Sequence, residues 1–504
     1  MFVRALGCRL RPDCALSGGF ESSRWLGHAD LRLGLAQTVD DERRDCIQSG
    51  PRPEEVIVSD ITIVDRWDAA RDLCRRSDGQ VRAVIHWVES SRKDALRLDD
   101  ELRAGRSRGP LHGWLVGVKD NIDTRGTPTT AGARFLGDNV PEQDAHAIGL
   151  LREAGAIVVA KLNMAELAWG ATTQNETYGA CRNPWDLDRI PGGSSGGSGA
   201  ALAARYCDVS LGTDTGASVR VPAALNGVVG LRPTFGAISN RGVYPVALTQ
   251  DTVGPMGRDA AEVAHLTELL VDHDPLDAYS VQRTGPAATA RLGSDVRGWR
   301  IGIPDTFFYD DLEPGVATRV QEFLDFLRAA GADLLPVADF GQADGFEHWT
   351  RIVQVEGASL HQQRIIERPE DFSEDVRGRI GGGLTVEAVD LARSLAWRTA
   401  YRHRLARVLD DLDVIVTPVV PVDVPMAGGY DSRAQTQALG RITYPWALHD
   451  GPTLSLPIGF HPTSGMPVGI ALSARRWNES ALFGVADYYQ RRTDWHDRQP
   501  PALG

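Results

Sequence analysis

The sequence has few of the features that mark membrane or nucleic-acid-binding proteins. It contains no run of about 18 apolar residues, which a membrane-spanning helix would need. It also lacks an excess of basic residues, because 67 acidic side chains outnumber 54 basic ones and give a formal net charge of −13. Phosphate contacts need clustered Lys and Arg, so this balance argues against binding to nucleic acid.

Cysteine is scarce and scattered. No C-x-x-C pair and no tight Cys/His cluster occurs, and this excludes the common zinc-site and disulfide-framework patterns. Free thiols in so long a chain favour a reducing compartment. We also expect no cofactor and no metal. The six cysteines are Cys8, Cys14, Cys46, Cys74, Cys181 and Cys207.

The first 55 residues differ from the rest of the chain. They mix Gly, Arg and Asp without clear periodicity. Charges at Arg9, Arg11 and Asp13 interrupt what would be the apolar region of a signal peptide, so we expect a cytoplasmic protein. Residues 1–55 are predicted to be a peripheral or poorly ordered extension, and residues 56–504 a single domain.

From Ile61 onward, helical and strand patterns alternate. The segment "DAHAIGLLREAG" has helical spacing and precedes the apolar run "AIVVAKLN", and "GSGAALAARY" followed by "DVSLGTDTG" repeats that order. The same alternation returns in "RIGIP", "GVATRVQEFLDFLRAAG" and "DLDVIVTP". It predicts an α/β fold whose central sheet is covered by helices on both faces.

The stretch "GGSSGGSGA", residues 192–200, has the composition of a flexible linker. It runs directly into a helical pattern, however, so it is placed inside the fold at a helix N-terminus. Backbone N–H groups there favour anions and developing negative charge. A catalytic or anion-binding loop and a purely structural Gly/Ser turn both remain open at this point.

Three known serine and phosphate motifs fit the sequence poorly. A Walker loop needs Lys and Ser/Thr after its second Gly, and neither follows. Gly193, Ser195 and Gly197 match G-x-S-x-G, but the required preceding strand is missing from "WDLDRIPGG". Ser90 and Lys93 form S-x-x-K without its companion motifs, and we interpret them as solvated helix residues.

A second serine loop, "GTDTGASVRVPA", follows an apolar strand pattern, and the strand "LVGVKDN" ends at Lys119. Together with the glycine/serine block, these segments resemble the amidase signature family. The matching stretches include "GPLHGWLVGVKDNIDTRGTPTTAGA", "RNPWDLDRIPGGSSGGSGAALAA" and "LGTDTGASVRVPAALNGVVGLRPTFGAIS". The resemblance runs from about Ile61 to the last helix. It implies one large domain with a mixed, mainly parallel sheet wrapped by helices.

The resemblance also implies a Ser–cis-Ser–Lys triad. By motif, Lys119 is the base, Ser194 the bridging serine and Ser218 the nucleophile. The oxyanion donors would be the N–H groups of the loop residues Thr215, Gly216, Ala217 and Ser218, with Ser195 as support within its loop. Gln174 and Asn175 are weaker candidates for substrate contacts, and the flanking glycines would supply backbone freedom.

This chemistry makes a demand on Lys119. A serine hydroxyl needs a base, and a lysine with a pKa near 10.4 is a base only if its pKa is lowered by about 3 units, roughly 4 kcal/mol. Burial at the end of an apolar strand would lower it. Asp214 and Arg220 bracket the nucleophile, and we favour a structural ion pair over a role in orienting the loop.

Two positions depart from the family pattern. Ala217 stands where most members have Gly, so either its φ is negative or the oxyanion loop is displaced. Ala447 stands where the family usually has Asn, and its neighbours Trp446 and His449 are expected to shape the substrate entrance. A catalytic role for His449 is not expected.

The resemblance implies a serine amidohydrolase that cleaves a carboxamide, or a related anilide, carbamate, urea or ester, through an acyl-enzyme. An amidase (glutaminase) subunit of a tRNA-dependent amidotransferase is the alternative, and a non-catalytic protein on an inherited fold is a third. We expect a small amide-type substrate as partner, neither nucleic acid nor membrane, and allow for a homodimer.

Overall fold

The computed structural model describes residues 61–429 and 431–501. The predicted extension, residues 1–55, lies outside the described residues, as do Cys8, Cys14 and Cys46. Of the described cysteines, Cys74, Cys181 and Cys207 are buried free thiols.

The described residues form thirteen strands and thirteen α-helices. The strands are β1 (Val84–Trp87), β2 (Leu115–Lys119), β3 (Ile157–Leu162), β4 (Gln174–Asn175), β5 (Gly179–Ala180), β6 (Val209–Asp214), β7 (Val229–Arg232), β8 (Thr252–Gly257), β9 (Arg300–Pro304), β10 (Asp333–Val337), β11 (Val414–Pro418), β12 (Thr453–Phe460) and β13 (Pro467–Ser473). The helices are α1 (Ile63–Val81), α2 (Arg92–Arg103), α3 (His146–Glu153), α4 (Gly196–Ala203), α5 (Arg220–Asn226), α6 (Ala260–Leu270), α7 (Pro314–Ala329), α8 (Gly345–Glu367), α9 (Glu374–Gly381), α10 (Ala388–Leu409), α11 (Ser432–Gly440), α12 (Tyr444–Leu448) and α13 (Glu479–Gln490).

Several helices begin at side chains that cap their first turn. Thr62 and Asp65 form a reciprocal capping box at the start of α1. The Asp259 carboxylate accepts from two backbone N–H groups of α6, and Glu313 does the same for α7, whose first residue is Pro314. These boundaries are therefore fixed by local sequence chemistry.

Eleven of the strands form one sheet in the order β1-β3-β2-β6-β8-β7-β12-β13-β11-β9-β10. The parallel pairs lie in two groups, β3-β2-β6 and β11-β9-β10. Between these groups, β8, β7, β12 and β13 pair antiparallel, and β1 pairs antiparallel with β3. The mainly parallel pairing expected from sequence thus describes the two outer groups. Within the antiparallel centre, β7 and β8 follow each other in the chain without a crossover helix, and so do β12 and β13.

Alternate residues of the strands enter cores on opposite faces of the sheet. Leu115 packs with α1, α2 and α4, while the next residue, Val116, packs with α3 and α6. In the other half, Val414 packs with α7 and α13, and Ile415 packs with α8 and α10. The predicted α/β fold with helices on both faces is confirmed.

The helices between β10 and β12 form a layer that the alternating sequence pattern does not predict. It comprises α8 to α12 and includes the longest helix among the described residues, α8. None of the described helices combines the length and the apolar character that crossing a bilayer requires.

Candidate active site

Lys119 lies at the carboxyl end of β2, in the interior of the sheet. Its ammonium nitrogen Nζ is 2.7 Å from Ser194 Oγ and 2.8 Å from Thr213 Oγ1, and the side chain is fully buried. Thr213 Oγ1 also accepts from Asn121 Nδ2 at 3.2 Å. Within the described residues, the lysine thus contacts neutral hydroxyls and forms no ion pair with a carboxylate.

Burial lowers the pKa of Lys119 to about 7, although the more distant charges of Asp214 and Asp251 act to raise it. A substantial fraction of Lys119 is therefore neutral near pH 7. A neutral amine has a free lone pair and can accept a proton, as the proposed chemistry demands of this residue.

The glycine/serine block enters α4, with Ser195 in the N-cap position. The peptide bond between Gly193 and Ser194 is cis. Ser195 Oγ donates to the carbonyl oxygen of Thr213 at 3.2 Å and accepts from the Thr213 N–H at 3.3 Å, so it ties this loop to β6. The structure thus gives the two adjacent serines different contacts.

Close packing, rather than unusual backbone angles, explains the glycine at position 197. A Cβ there would lie 2.4 Å from the carbonyl oxygen of Asn163 and 2.5 Å from its nitrogen. The φ angle of Gly197 is not positive. The expectation that this glycine supplies conformational freedom is therefore replaced by a steric reason: α4 starts in contact with the backbone that follows β3.

Ser218 lies in the loop between β6 and α5 and is half-buried. Its carbonyl accepts from the Ser195 N–H at 3.1 Å, which brings the two serine loops together. Within the described part of the chain, the Ser218 hydroxyl has no hydrogen-bond partner. It lines the cavity described below.

The loop before Ser218 is held by side chains from distant segments. Thr215 Oγ1 donates to the buried Asp251 carboxylate at 2.5 Å, and Trp349 Nε1 donates to the Thr215 carbonyl at 3.1 Å. A Cβ at Gly216 would lie 2.4 Å from the Trp349 ring, so only glycine fits against this indole. Burial raises the pKa of Asp251 to about 6.

Ala217 fits this loop without strain. It is buried at the cavity wall, and its φ is not positive. Of the two explanations for this departure, the structure selects the negative φ, a region that L-residues occupy readily.

Asp214 and Arg220 form a fully buried, bidentate ion pair with two N–O distances of 3.0 Å. Burial raises the pKa of Asp214, but the guanidinium charge outweighs it and leaves the pKa below its usual value. Arg220 also donates to the Gly216 carbonyl at 2.6 Å and to the Thr443 carbonyl at 3.1 Å. The pair is structural, and through Gly216 it also orients the loop.

These elements surround a cavity of about 320 Å³. The loops after β6 and before α4 form one side, and the helical layer forms the other. The lining residues are Ala168, Trp169, Gly170, Ala171, Gly193, Thr215, Gly216, Ala217, Ser218, Val246, Phe346, Trp349, Thr350, Val353, Gln354, Arg379, Arg433, Thr436, Gln437 and Tyr444.

The family model described as Amidase matches residues 69–483, most of the sequence. The chain belongs to the Amidase family. This agrees with the family suggested by the motifs and makes an enzyme acting on C–N bonds the supported class.

Known amidase-family proteins match along nearly their whole length. A glutamyl-tRNA(Gln) amidotransferase subunit from Chloroflexus aggregans is 36% identical over 469 residues, or 88% of this chain and 95% of the relative. A solved structure described as a vestigial complex bearing on the origins of an s-triazine catabolic enzyme has a TM-score of 0.81 at 31% identity, covering 86% of this chain and 95% of that one. The peptide amidase PAM, bound to the inhibitor chymostatin, has a TM-score of 0.76 at 28% identity, covering 89% and 99%.

Some predicted residues lie away from the cavity of this Amidase-family protein. Gln174 is in the β4–β5 ribbon, and its amide Nε2 donates to the carbonyls of Thr172 and Cys181. Asn175 donates to the carbonyls of Gly132 and Met164. Neither residue lines the cavity, so the structure does not bring them to the substrate position.

The expectation that Trp446 and His449 shape the substrate entrance is wrong. Trp446 is fully buried and stacks on Phe308 at a ring-centroid distance of 5.3 Å. His449 Nε2 lies 3.0 Å from the Ala474 carbonyl, and burial lowers the pKa of His449 to about 4. Trp446 in α12 and His449 just after it are both buried, and neither lines the cavity, so these two side chains pack into the core.

Contacts distant in sequence supply the residues that motif reasoning missed. Thr213, Asp251 and Trp349 touch the predicted site from three separate segments. Thr213 lies inside the quoted "GTDTG" block and could have been noticed there, whereas nothing local marks Trp349. In the regions 61–429 and 431–501, no cluster of three or more His, Cys, Asp or Glu residues is placed to hold a metal ion.

Proposed function

We propose that the protein hydrolyses a carboxamide through an acyl-enzyme formed at Ser218. The observation that carries this proposal is the 2.7 Å hydrogen bond between buried Lys119 Nζ and Ser194 Oγ, beside a cavity that Ser218 lines. Anilides, carbamates, ureas and some esters fall within the same chemistry.

In this proposal Ser194 relays a proton. Its hydroxyl gives a proton to neutral Lys119 and takes one from Ser218 as the Ser218 oxygen attacks the carbonyl carbon. The lowered pKa of Lys119, about 7, supports its role as acceptor. Within the described residues the Ser218 hydroxyl has no hydrogen-bond partner, so it breaks no such bond before it attacks.

The attack places negative charge on the carbonyl oxygen. Backbone N–H groups of the loop from Thr215 to Ser218 are the proposed donors, and one such donor is typically worth about 3 kcal/mol in the barrier. Their support is the set of side chains that hold this loop, namely Asp251, Trp349 and Arg220.

Collapse of the tetrahedral intermediate breaks the C–N bond. The proton held by Lys119 returns through Ser194 to the leaving nitrogen, which departs as a neutral amine or ammonia. Water then gives its proton to the same relay and attacks the acyl carbon. Release of the carboxylic acid restores the Ser218 hydroxyl, so no group is consumed.

A panel of short-chain and aryl amides, carbamates and glutamine, assayed on the wild type and Ser218→Ala, tests the proposal. We expect Ser218→Ala to lose at least about 10⁴-fold in kcat and to escape labelling by a fluorophosphonate probe. Ser198→Ala is the matched control, because Ser198 is a buried serine whose hydroxyl bonds the Leu211 carbonyl away from the cavity. Amide hydrolysis that survives in Ser218→Ala would refute the mechanism.

A second candidate is the glutaminase component of a tRNA-dependent amidotransferase. The 36% identity to an amidotransferase subunit over 88% of the chain favours it. Against it, the lining residues that the structure describes include no carboxylate to pair with the α-ammonium group of glutamine. Glutaminase activity that appears only with a copurifying partner protein would support this candidate, and robust hydrolysis of other amides by the lone chain would oppose it.

A further inference from the structure

The described residues give the cavity wall charge of only one sign. Two arginines, Arg379 and Arg433, line it, and none of the described lining residues is Asp or Glu. Both come from helices α9 and α11 of the helical layer and not from the loop that carries Ser218. A substrate that reaches from Ser218 to this wall therefore meets positive charge at its far end.

The charge of Arg379 is already neutralised within the protein. Its Nε lies 2.9 Å from Asp375 Oδ1, and its Nη2 donates to the hydroxyls of Ser432 and Thr436. Arg379 is also 8% exposed, so its guanidinium acts mainly as a tie between α9 and α11. Thr436 extends the tie by accepting from the Ala171 N–H on the opposite wall.

Unlike Arg379, Arg433 has guanidinium N–H donors that no other described residue accepts from. It lies in the first turn of α11, it is exposed, and within the described residues its side chain makes no ion pair or hydrogen bond. The neighbouring carboxylate, Asp431, caps the helix by accepting from the backbone N–H groups of Arg433 and Ala434. The Arg433 guanidinium lies beside Gly378 of α9, where a Cβ would be 3.5 Å from Nη2.

The rest of the wall that the helical layer contributes is aromatic and apolar. Trp349 stacks on Tyr444 at 4.2 Å between ring centroids, and Tyr444 contacts Phe346 at 5.2 Å. These rings suit an uncharged chain or ring between the scissile bond and the mouth. They carry no carboxylate that could pair with a cationic group.

We propose that Arg433 is a specificity-determining residue, and that the preferred substrate is an amide carrying a carboxylate at the end distant from the scissile bond. This inference rests on the proposed amide hydrolysis at Ser218. The guanidinium would bind the carboxylate by charge-assisted hydrogen bonds, while the aromatic wall holds the part between.

Three chromogenic 4-nitroanilides of equal chain length test this inference: one with a terminal carboxylate, one with a terminal methyl and one with a terminal amine. We expect kcat/KM to be about fivefold higher for the carboxylate-ended compound than for the methyl-ended one, and lowest for the amine-ended one. A fourth compound carries the carboxylate on the aromatic amine instead, and it tells the acyl side from the amine side. The preference should shrink at 0.5 M salt, taken as roughly a 4 Å screening length, because Arg433 is exposed.

Substitution of Arg433 tests directly whether this residue causes the preference for the carboxylate. Arg433→Gln should bring the ratio of carboxylate-ended to methyl-ended kcat/KM down to about one. Arg433→Glu should reverse the order of preference, so that the amine-ended compound has the highest kcat/KM of the three. Arg475→Gln removes an equal charge from an exposed arginine that does not line the cavity, and it should leave the ratio at the wild-type value.

The outcomes separate this inference from the function on which it rests. Hydrolysis of all four compounds without a preference, or a preference that persists in Arg433→Gln, overturns the role of Arg433 and leaves the proposed hydrolysis standing. If no compound is hydrolysed, or Ser218→Ala remains active, then the proposed function itself fails.

Discussion

Two buried lysines at the ends of neighbouring strands have opposite surroundings. Lys119 ends β2 among hydroxyls, with Ser194 and Thr213 as its closest partners. Lys161 lies on the adjacent strand β3 and has a carboxylate, Asp120 Oδ1, at 3.2 Å. Both side chains are fully buried, so the difference between them is the partner and not the degree of burial.

The partner decides what each lysine can do. Burial lowers the pKa of Lys161, and the negative charge of Asp120 opposes that shift. Lys161 also donates to Thr129 Oγ1 at 2.7 Å and to the Ile122 carbonyl at 2.9 Å, which secures the loop after β2. Among the described residues Lys119 has no such counter-charge in contact with it, and burial lowers its pKa to about 7, the value that its proposed role as a base requires. A buried lysine with a carboxylate beside it forms a structural ion pair, and one without such a partner is a candidate for reactivity.

The largest expected effect is on activity, from Lys119→Met. Removing the proposed proton acceptor should lower kcat/KM for an unactivated amide by about 10⁴-fold, with a smaller loss for esters that have good leaving groups. The measurement is steady-state kinetics on matched amide and ester substrates. Equal losses for amide and ester would argue that the variant is simply misfolded or that the lysine does not act as the base.

Lys161→Met should instead affect stability. It leaves the Asp120 carboxylate buried without its cation, which typically costs about 3–5 kcal/mol in the free energy of unfolding. Denaturant titration measures this, and adding Asp120→Asn should recover part of the loss because the uncompensated charge is gone. A Lys161→Met protein as stable as the wild type would show that the ion pair is not what holds this loop.

The pH dependence sharpens the comparison further. Lys119 must be neutral to accept a proton, so kcat/KM should rise with pH through about 7, changing about tenfold per unit below that value, and then level off. Asp251→Asn should move the midpoint to lower pH, because the negative charge of Asp251 raises the pKa of Lys119. A folded Lys161→Met enzyme should keep the wild-type midpoint. A midpoint near 10 in the wild type would contradict the neutral-base mechanism.

The smallest expected effect concerns the shape of the cavity rather than either lysine. Ala217→Gly removes a methyl group from the buried wall beside Ser218, and it should change the ratio of kcat/KM for bulky and small acyl groups by about threefold in favour of bulky ones. Its pH midpoint should match that of the wild type. Unchanged selectivity would mean that Ala217 does not limit the acyl side.

Sequence reasoning located the residues that lie close together in the chain or at its regular elements. The end of β2 at Lys119, the start of α4 after Ser195 and the start of α5 after Ser218 all follow from local apolar patterns and glycine-rich turns. The catalytic roles of these residues stay predictions, whereas the contacts that join them are geometry: Lys119 bonds Ser194, the Ser195 N–H bonds the Ser218 carbonyl, and Ser218 lines the cavity.

The part of the cavity wall that the helical layer contributes could not be predicted in this way. Trp349, Arg379 and Arg433 come from helices whose sequence shows no special chemistry, and they reach the site only through tertiary packing. Gln174 illustrates the reverse error: proximity to a family motif suggested a substrate contact, but the short β4–β5 ribbon uses its amide to bond backbone carbonyls. Trp446 likewise packs in the core, although its position in the motif suggested that it would shape the substrate entrance.

One side of the cavity is built mainly from residues 115–220 and carries Ser218. The other side is built from residues 345–444, which belong to the helical layer. Hydrogen bonds join these sides, among them Trp349 to the Thr215 carbonyl and Arg220 to the Thr443 carbonyl. This arrangement suits directed evolution. A suitable library would randomise Thr350, Val353, Gln354, Arg433 and Gln437 and keep Trp349 and Arg220. It would change the surface that contacts the substrate while preserving the hydrogen bonds that hold the two sides together, so the same proposed reaction could be adapted to new compounds.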